Sequence, residues 1–263
     1  LLYTRWVKQR AADVDKWSGG RLGYVHIQSM GDDSFRSVYS DILGKYNDRE
    51  GIVIDTRFNG GGRLHEDIEI LFSGKKYFTQ VVRGREACDM PSRRWNKPSI
   101  MLQCEANYSN AHGTPWVYSH QKLGKLVGMP VPGTMTSVSW ETLQDPSLVF
   151  GIPIIGYQLP DGSYLENTQL EPDIKVANAP ETVVQGEDTQ LKVAVDELLK
   201  EIEREIKCEY EVIKKWKERM CMFSPSVLIS ITKNLSFLIW QSPDNNSSFR
   251  VEPTGIFHPA GRQ

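Results

Sequence analysis

The sequence has 263 residues, 40% of them hydrophobic and 24% charged, a globular balance that excludes a disordered or fibrous chain. Lysine and arginine number 31 against 33 aspartates and glutamates, a net charge of −2, so no basic field draws in nucleic acid. No membrane span is visible, because the most apolar stretch, Val227 to Trp240, is short and is broken by Thr232, Lys233 and Asn234.

Leu1 to Trp17 carries helical periodicity, with Leu2, Trp6, Val7 and Val14 on one face, and Ser18-Gly19-Gly20 ends it. Leu22 to Ile27 alternates like a strand. Asp32 and Asp33, as cap-type residues, open an expected helix whose Phe35, Val38, Tyr39, Ile42 and Leu43 recur at helical steps. Gly51 to Asp55 is short, continuous and β-branched, as in a strand buried on both faces. Ser99 to Cys104 predicts the next strand, about Gly113 to Leu123 a helix, and Lys125 to Gly128 another strand, an alternation that argues for an α/β layer fold. Leu148 to Tyr164 reads as β-rich with a Pro160-Asp161-Gly162 turn, and Asp188 to Glu205 as an amphipathic helix with Leu191, Val195, Leu198, Leu199 and Ile202 on one face. Charged helix-like sequence runs on to Met220, and the composition of Ser242 to Gln263 predicts disorder.

Cys88, Cys104, Cys208 and Cys221 form no CxxC pair and read as lone thiols. Without clustered ligand spacing, no metal or cofactor is expected. The first residue is not Met, and no leader pattern is present, so the chain reads as a portion of something longer and its compartment stays open.

Three stretches carry chemistry. Asp55-Thr56-Arg57-Phe58-Asn59-Gly60-Gly61-Gly62 follows a buried strand, and its glycines allow close main-chain approach with amides free to donate to a developing negative charge. It is neither a phosphate loop nor a dinucleotide turn, and a flexible loop is the plain alternative. Asn107-Tyr108-Ser109-Asn110-Ala111-His112 lies between strand and helix. Ser109 there is either a nucleophile whose oxyanion meets the Asn110 amide or an ordinary helix cap. Glu166, ahead of Glu171-Pro172-Asp173, offers a carboxylate for orienting work or a solvated turn. His26, His65, His112, His120 and His258 each read as structural, surface or solvated histidines, and none is assigned as a base. Trp95, Trp116 and Trp140 line a peptide cleft or sit in the core.

Taken together, these stretches resemble the C-terminal processing peptidases, and within them the tricorn-type branch. Gly23 to Ile27, Leu126-Val127-Gly128, Val131-Pro132-Gly133-Thr134 and Gly186 to Leu191 also match, and the likeness covers about residues 3–205. The resemblance implies a Clp protease/crotonase-like α/β fold of stacked ββα units. Residues 1–205 would be the catalytic core, and 206–263 a helical extension and tail. It implies a serine peptidase acting on peptides or unfolded protein through an acyl-enzyme, and assembly into homo-oligomers. Ser109 would be the nucleophile, with the amides of Gly61, Gly62 and Asn110 as the oxyanion hole and Glu166 supporting a histidine base. The segment Gly128 to Thr136 has no lysine, so a Ser-Lys mechanism is not expected. In the tricorn-type branch the base is a histidine ahead of a PDZ domain, and it would lie upstream of Leu1. The rival readings are a catalytically inactive peptide-binding module on the same fold and, more remotely, an acyl-CoA enzyme.

Overall fold

The computed structural model describes residues 1–220, so the expectations for the apolar stretch and tail beyond Met220 lie outside the described residues. One compact unit runs from Leu1 to Lys207. Its centre is a five-stranded parallel sheet of β1 (Leu22–His26), β2 (Gly51–Asp55), β5 (Ser99–Gln103), β6 (Lys125–Gly128) and β9 (Ile174–Lys175), adjacent in that order. Register is set by pairs such as Tyr24 with Val53, Ile54 with Met101, and Leu102 with Val127.

Parallel neighbours need crossovers, and helices supply them between the first four strands of the sheet. These are α2 (Asp32–Ser40), running into a π-helical turn at Asp41–Lys45, α3 (His65–Ser73) and α4 (Asn110–His120). Side chains alternate across the sheet, so one strand feeds two cores. Ile52 and Ile54 face a cluster with Val38, Ile42, Leu64, Ile68, Met101 and Ala111. Val53 faces the opposite cluster, with Val14 of α1 (Leu2–Ser18) and Leu191, Val195, Leu198 and Ile202 of α6 (Thr189–Met220). That two-sided burial is why β2 is apolar throughout, and the fold is the expected Clp protease/crotonase-like α/β class.

Local chemistry sets the boundaries. Gly19 takes φ 61° past α1, and the Gly20 amide donates to the Asp15 carbonyl, a left-handed cap that ends the helix. Asp32 and Asp33 lie inside the first turn of α2 behind the N-cap Gly31, where they complement the helix dipole without a side-chain cap bond. Two antiparallel ribbons extend from the layers: β3 (Phe78–Val82) with β4 (Arg85–Met90), and β7 (Ser137–Thr142) with β8 (Val149–Ile155). Arg83 and Gly84, both at positive φ, turn the first. The second leaves Trp140, Phe150 and Ile154 exposed. A five-residue helix, α5 (Pro180–Val184), precedes α6. Trp95 is a core residue, and Cys88, Cys104 and Cys208 are free thiols.

Candidate active site

β2 and β5 end side by side, and the turns after them meet. The glycine turn is anchored by the buried Asn59, whose Nδ2 donates to the Ile27 carbonyl (2.8 Å) and whose Oδ1 accepts from the Gly61 amide (2.8 Å). Met30 locks its far side, donating to the Gly61 carbonyl and accepting from the Arg63 amide. Gly61 (φ 95°) and Gly62 (φ 139°) occupy conformations that side chains rarely adopt. A methyl on Gly61 would lie 2.7 Å from Ser109 Cβ and 2.8 Å from the Tyr108 carbonyl, so the glycine backbone rests directly on the serine.

Ser109 stands immediately before α4 at φ 54°, ψ −121°, a strained backbone for a non-glycine residue. Its side chain makes no cap hydrogen bond, so the cap reading has no support in the geometry. The helix starts at Asn110, three residues before the expected Gly113. The breakers Gly113 and Pro115 hide this in the sequence. Pro115 has no N–H for the Ala111 carbonyl, and Asn107 Nδ2 takes that acceptor instead (3.2 Å). The Asn110 amide has no acceptor among the described residues, nor has that of Gly62, whereas that of Gly61 is held by Asn59.

Glu166 approaches from the other side. Its Oε2 accepts from the Met135 and Thr136 amides, both at 2.7 Å, and thereby pins the segment whose Thr134 Oγ1 accepts from the Ser109 amide (3.3 Å). Burial pushes the Glu166 carboxyl up, but the Thr136 amide and hydroxyl and the Met135 amide outweigh it and hold the group below the usual carboxylate range. Glu166 is therefore ionised at neutral pH and docked on a loop, not a solvated turn residue.

The histidines separate by their partners. His26 Nδ1 accepts from the Tyr3 hydroxyl and its Nε2 donates to the Arg57 carbonyl, so both nitrogens are structural. His120 stacks on Trp116. His65, the first residue of α3, is not a solvated loop residue, because its Nδ1 lies 2.7 Å from Asn110 Nδ2. His112 is 0% exposed, and neither ring nitrogen has a partner among the described residues. Burial pushes the His112 imidazole down, partly offset by the Glu166 charge. An imidazole kept neutral by folding leaves the unfolded chain with more protons below about pH 6.5, so stability contributed here is full above that pH and lost as pH falls. His112→Leu is expected to raise stability by roughly 1 kcal/mol and to flatten its dependence between about pH 7 and 5. Urea melts at the two pH values check this, and an unchanged slope would contradict it.

Behind the glycine turn is a buried ionic network in which the neighbouring Asp55 and Arg57, residues able to pair and brace the loop, are joined by partners far away in the sequence. Arg57 donates bidentately to Asp55 (Nε–Oδ1 2.9 Å, Nη2–Oδ2 2.7 Å) and to Asp188 (both contacts 2.9 Å). Tyr24 caps Asp55, and Arg10 reaches Asp188 from α1. Burial pushes the Asp188 carboxyl up, but the Arg57 guanidinium dominates and draws it down to about 2. The available signal was the Gly186-Glu187-Asp188 entry into α6, with nothing local to name Arg57 as its partner.

Gly61→Ala is expected to destabilise the protein by roughly 1–3 kcal/mol, because the added methyl would meet Ser109 Cβ and the Tyr108 carbonyl inside contact distance at a φ that alanine rarely adopts. Urea unfolding of the variant checks it; an unchanged midpoint would show that the close approach is dispensable.

Residues 21–176 match the family profile described as Peptidase family S41. The putative tricorn-like protease C-terminal subunit of Sulfurisphaera tokodaii is 32% identical over 209 residues, covering 77% of this chain and 24% of that protein. The tricorn protease of Thermoplasma acidophilum is 26% identical over 205 residues, covering 77% of this chain and 19% of that protein. The crystal structure of the tricorn protease superposes with a TM-score of 0.67 at 24% identity, over 75% of this chain and 19% of that one. The chain thus spans a quarter or less of the length of each of these three proteins.

Proposed function

Because the chain belongs to Peptidase family S41, we propose that residues 1–205 are the nucleophile-bearing core of a tricorn-like serine peptidase that cleaves peptides or unfolded protein through an acyl-enzyme. The observation that carries this reading is Ser109, strained at the strand-to-helix turn with no cap bond and in contact with the glycine backbone.

Ser109 Oγ attacks the peptide carbonyl as a base removes its proton, and the tetrahedral oxyanion settles on the Asn110 amide and the Gly61–Gly62 turn. The Asn110 and Gly62 amides are available at once, and that of Gly61 joins when Asn59 Oδ1 releases it. Collapse expels the amine, protonated by the same base, and water then hydrolyses the acyl-enzyme by the reverse path. The base is a histidine from outside these residues, oriented by Glu166. His26 and His65 are hydrogen-bonded elsewhere, and His112 is sealed from solvent.

The same placement of histidines favours a second reading for the chain by itself, an inactive peptide-binding module. A fluorophosphonate applied to the complete polypeptide carrying this chain decides between them. The adduct is expected on Ser109 by peptide mapping. Peptide cleavage with an adduct on another serine would overturn the assignment, and saturable peptide binding with neither adduct nor cleavage would establish the module.

A further inference from the structure

Resting on the peptidase reading above, we propose that His65 is a positioning residue. Only while neutral does its ring accept the Asn110 side-chain amide, and that bond holds the Asn110 backbone amide against Ser109.

The hydrogen-bond directions leave one arrangement. Asn110 Oδ1 accepts from the Leu64 amide (2.9 Å) and the His65 amide (3.0 Å), both backbone donors at the start of α3. A flipped carboxamide would set its NH₂ against those two N–H groups, so the orientation is fixed. The group 2.7 Å from His65 Nδ1 is therefore the Asn110 NH₂, a donor, and Nδ1 must be its acceptor. An imidazole accepting at Nδ1 is neutral, with its proton on Nε2.

This same bond removes His65 from contention as the general base and gives it another task. Three hydrogen bonds converge on one carboxamide and join the first turns of α3 and α4. Asn110 is 2% exposed and follows Ser109 directly, so a shift of its side chain moves the amide assigned to the oxyanion. A proton on Nδ1 would place two donors face to face at 2.7 Å, and the backbone donors on Oδ1 deny Asn110 the compensating flip. The latch opens when His65 charges.

The surroundings of the ring are few. From α4 it meets the uncharged Asn110, and from the segment after β8 the edge of Tyr157, centroids 6.2 Å apart. On its own segment Arg63, Glu66 and Asp67 line the adjoining cavity with it. His65 is half-buried, so protons reach it from solvent.

The test compares wild type, His65→Asn and His65→Phe in the complete polypeptide, with kcat and KM for a chromogenic peptide from about pH 5 to 8. Asparagine supplies an acceptor near the Nδ1 position that does not titrate. His65→Asn is expected to keep kcat at the alkaline end and to lose one proton from the slope of the acid limb. His65→Phe should lose about tenfold in kcat at every pH with KM little changed, as for a misplaced transition-state contact. In parallel, ¹⁵N spectra of this chain should show His65 Nδ1 unprotonated near neutral pH, and the Asn110 NH₂ signals moving with the ring's titration. An acid limb identical in wild type and His65→Asn, or a protonated Nδ1 in the neutral ring, would overturn the latch. Ser109→Ala separates the failures. If it stays active, the peptidase reading falls and the latch with it; if it is dead while both His65 variants match wild type, only the latch falls.

Discussion

Ser109→Ala is expected to abolish peptide hydrolysis by the complete polypeptide, on the order of 10⁵- to 10⁶-fold in kcat, while leaving the fold intact. In the proposed mechanism Oγ is the attacking atom, and the threonine hydroxyls described beside it are engaged. Thr134 Oγ1 is held by the Ser109 amide and Thr114 Oγ1 donates to the Asn110 carbonyl. The fold should not suffer, because the Ser109 side chain makes no cap bond and alanine bears the φ of 54° no worse than serine. Residual catalysis would come from the amides at the glycine turn, which survive the change. Matched thermal melts and single-turnover assays on wild type and variant measure both halves. A variant that cleaves peptide at the wild-type rate would remove Ser109 from the mechanism.

The second large effect is on stability. Asp188→Ala should destabilise the protein by about 3–5 kcal/mol, because it leaves the Arg57 guanidinium buried with only Asp55 to neutralise it and leaves Arg10 with Asp13 as its remaining carboxylate. Acid should reproduce part of this loss. The folded Asp188 carboxyl is drawn to about 2, below its unfolded value near 3.9. Its contribution is therefore full above about pH 4 and disappears as pH falls towards 2, worth roughly 2–3 kcal/mol. Urea unfolding at neutral pH and near pH 3, read as midpoint shifts at constant slope, tests both statements. Wild type and Asp188→Ala should converge as the pH falls, and a gap that stays constant would show that the carboxylate's charge is not what stabilises the network. Because Arg57 lies two residues before Asn59, the variant should also loosen the glycine turn.

Much of the scaffold was legible in the chain. The continuous apolar run Gly51–Asp55 is a strand covered on both faces, and the spacing of Leu191, Val195, Leu198 and Ile202 is one buried stripe of α6. These signals survive because they are local: helix and strand periods repeat over neighbouring residues whatever the rest of the chain does. The start of α4 was misplaced because Gly113 and Pro115 look like breakers, and the Asn107 side chain that repairs the helix acts from outside it. The two-residue strand β9 and the helix opening at His65 carry too little pattern of their own to be recognised.

The order of the motifs in the sequence also determined the family, and with it which serine, glycines and glutamate to examine. Only the tertiary structure decided what those residues touch. Asp188 is paired with Arg57 across 131 positions, the Asn110 carboxamide is clasped by His65 and Leu64 45 and 46 positions away, and Glu166 reaches back to Met135 and Thr136. A buried charge or amide must find a partner wherever the fold brings one, and nothing in the neighbouring sequence names that partner. Chain-local physics therefore determined the elements and the candidate chemistry, and long-range desolvation decided the hydrogen-bond partners that make a site of them.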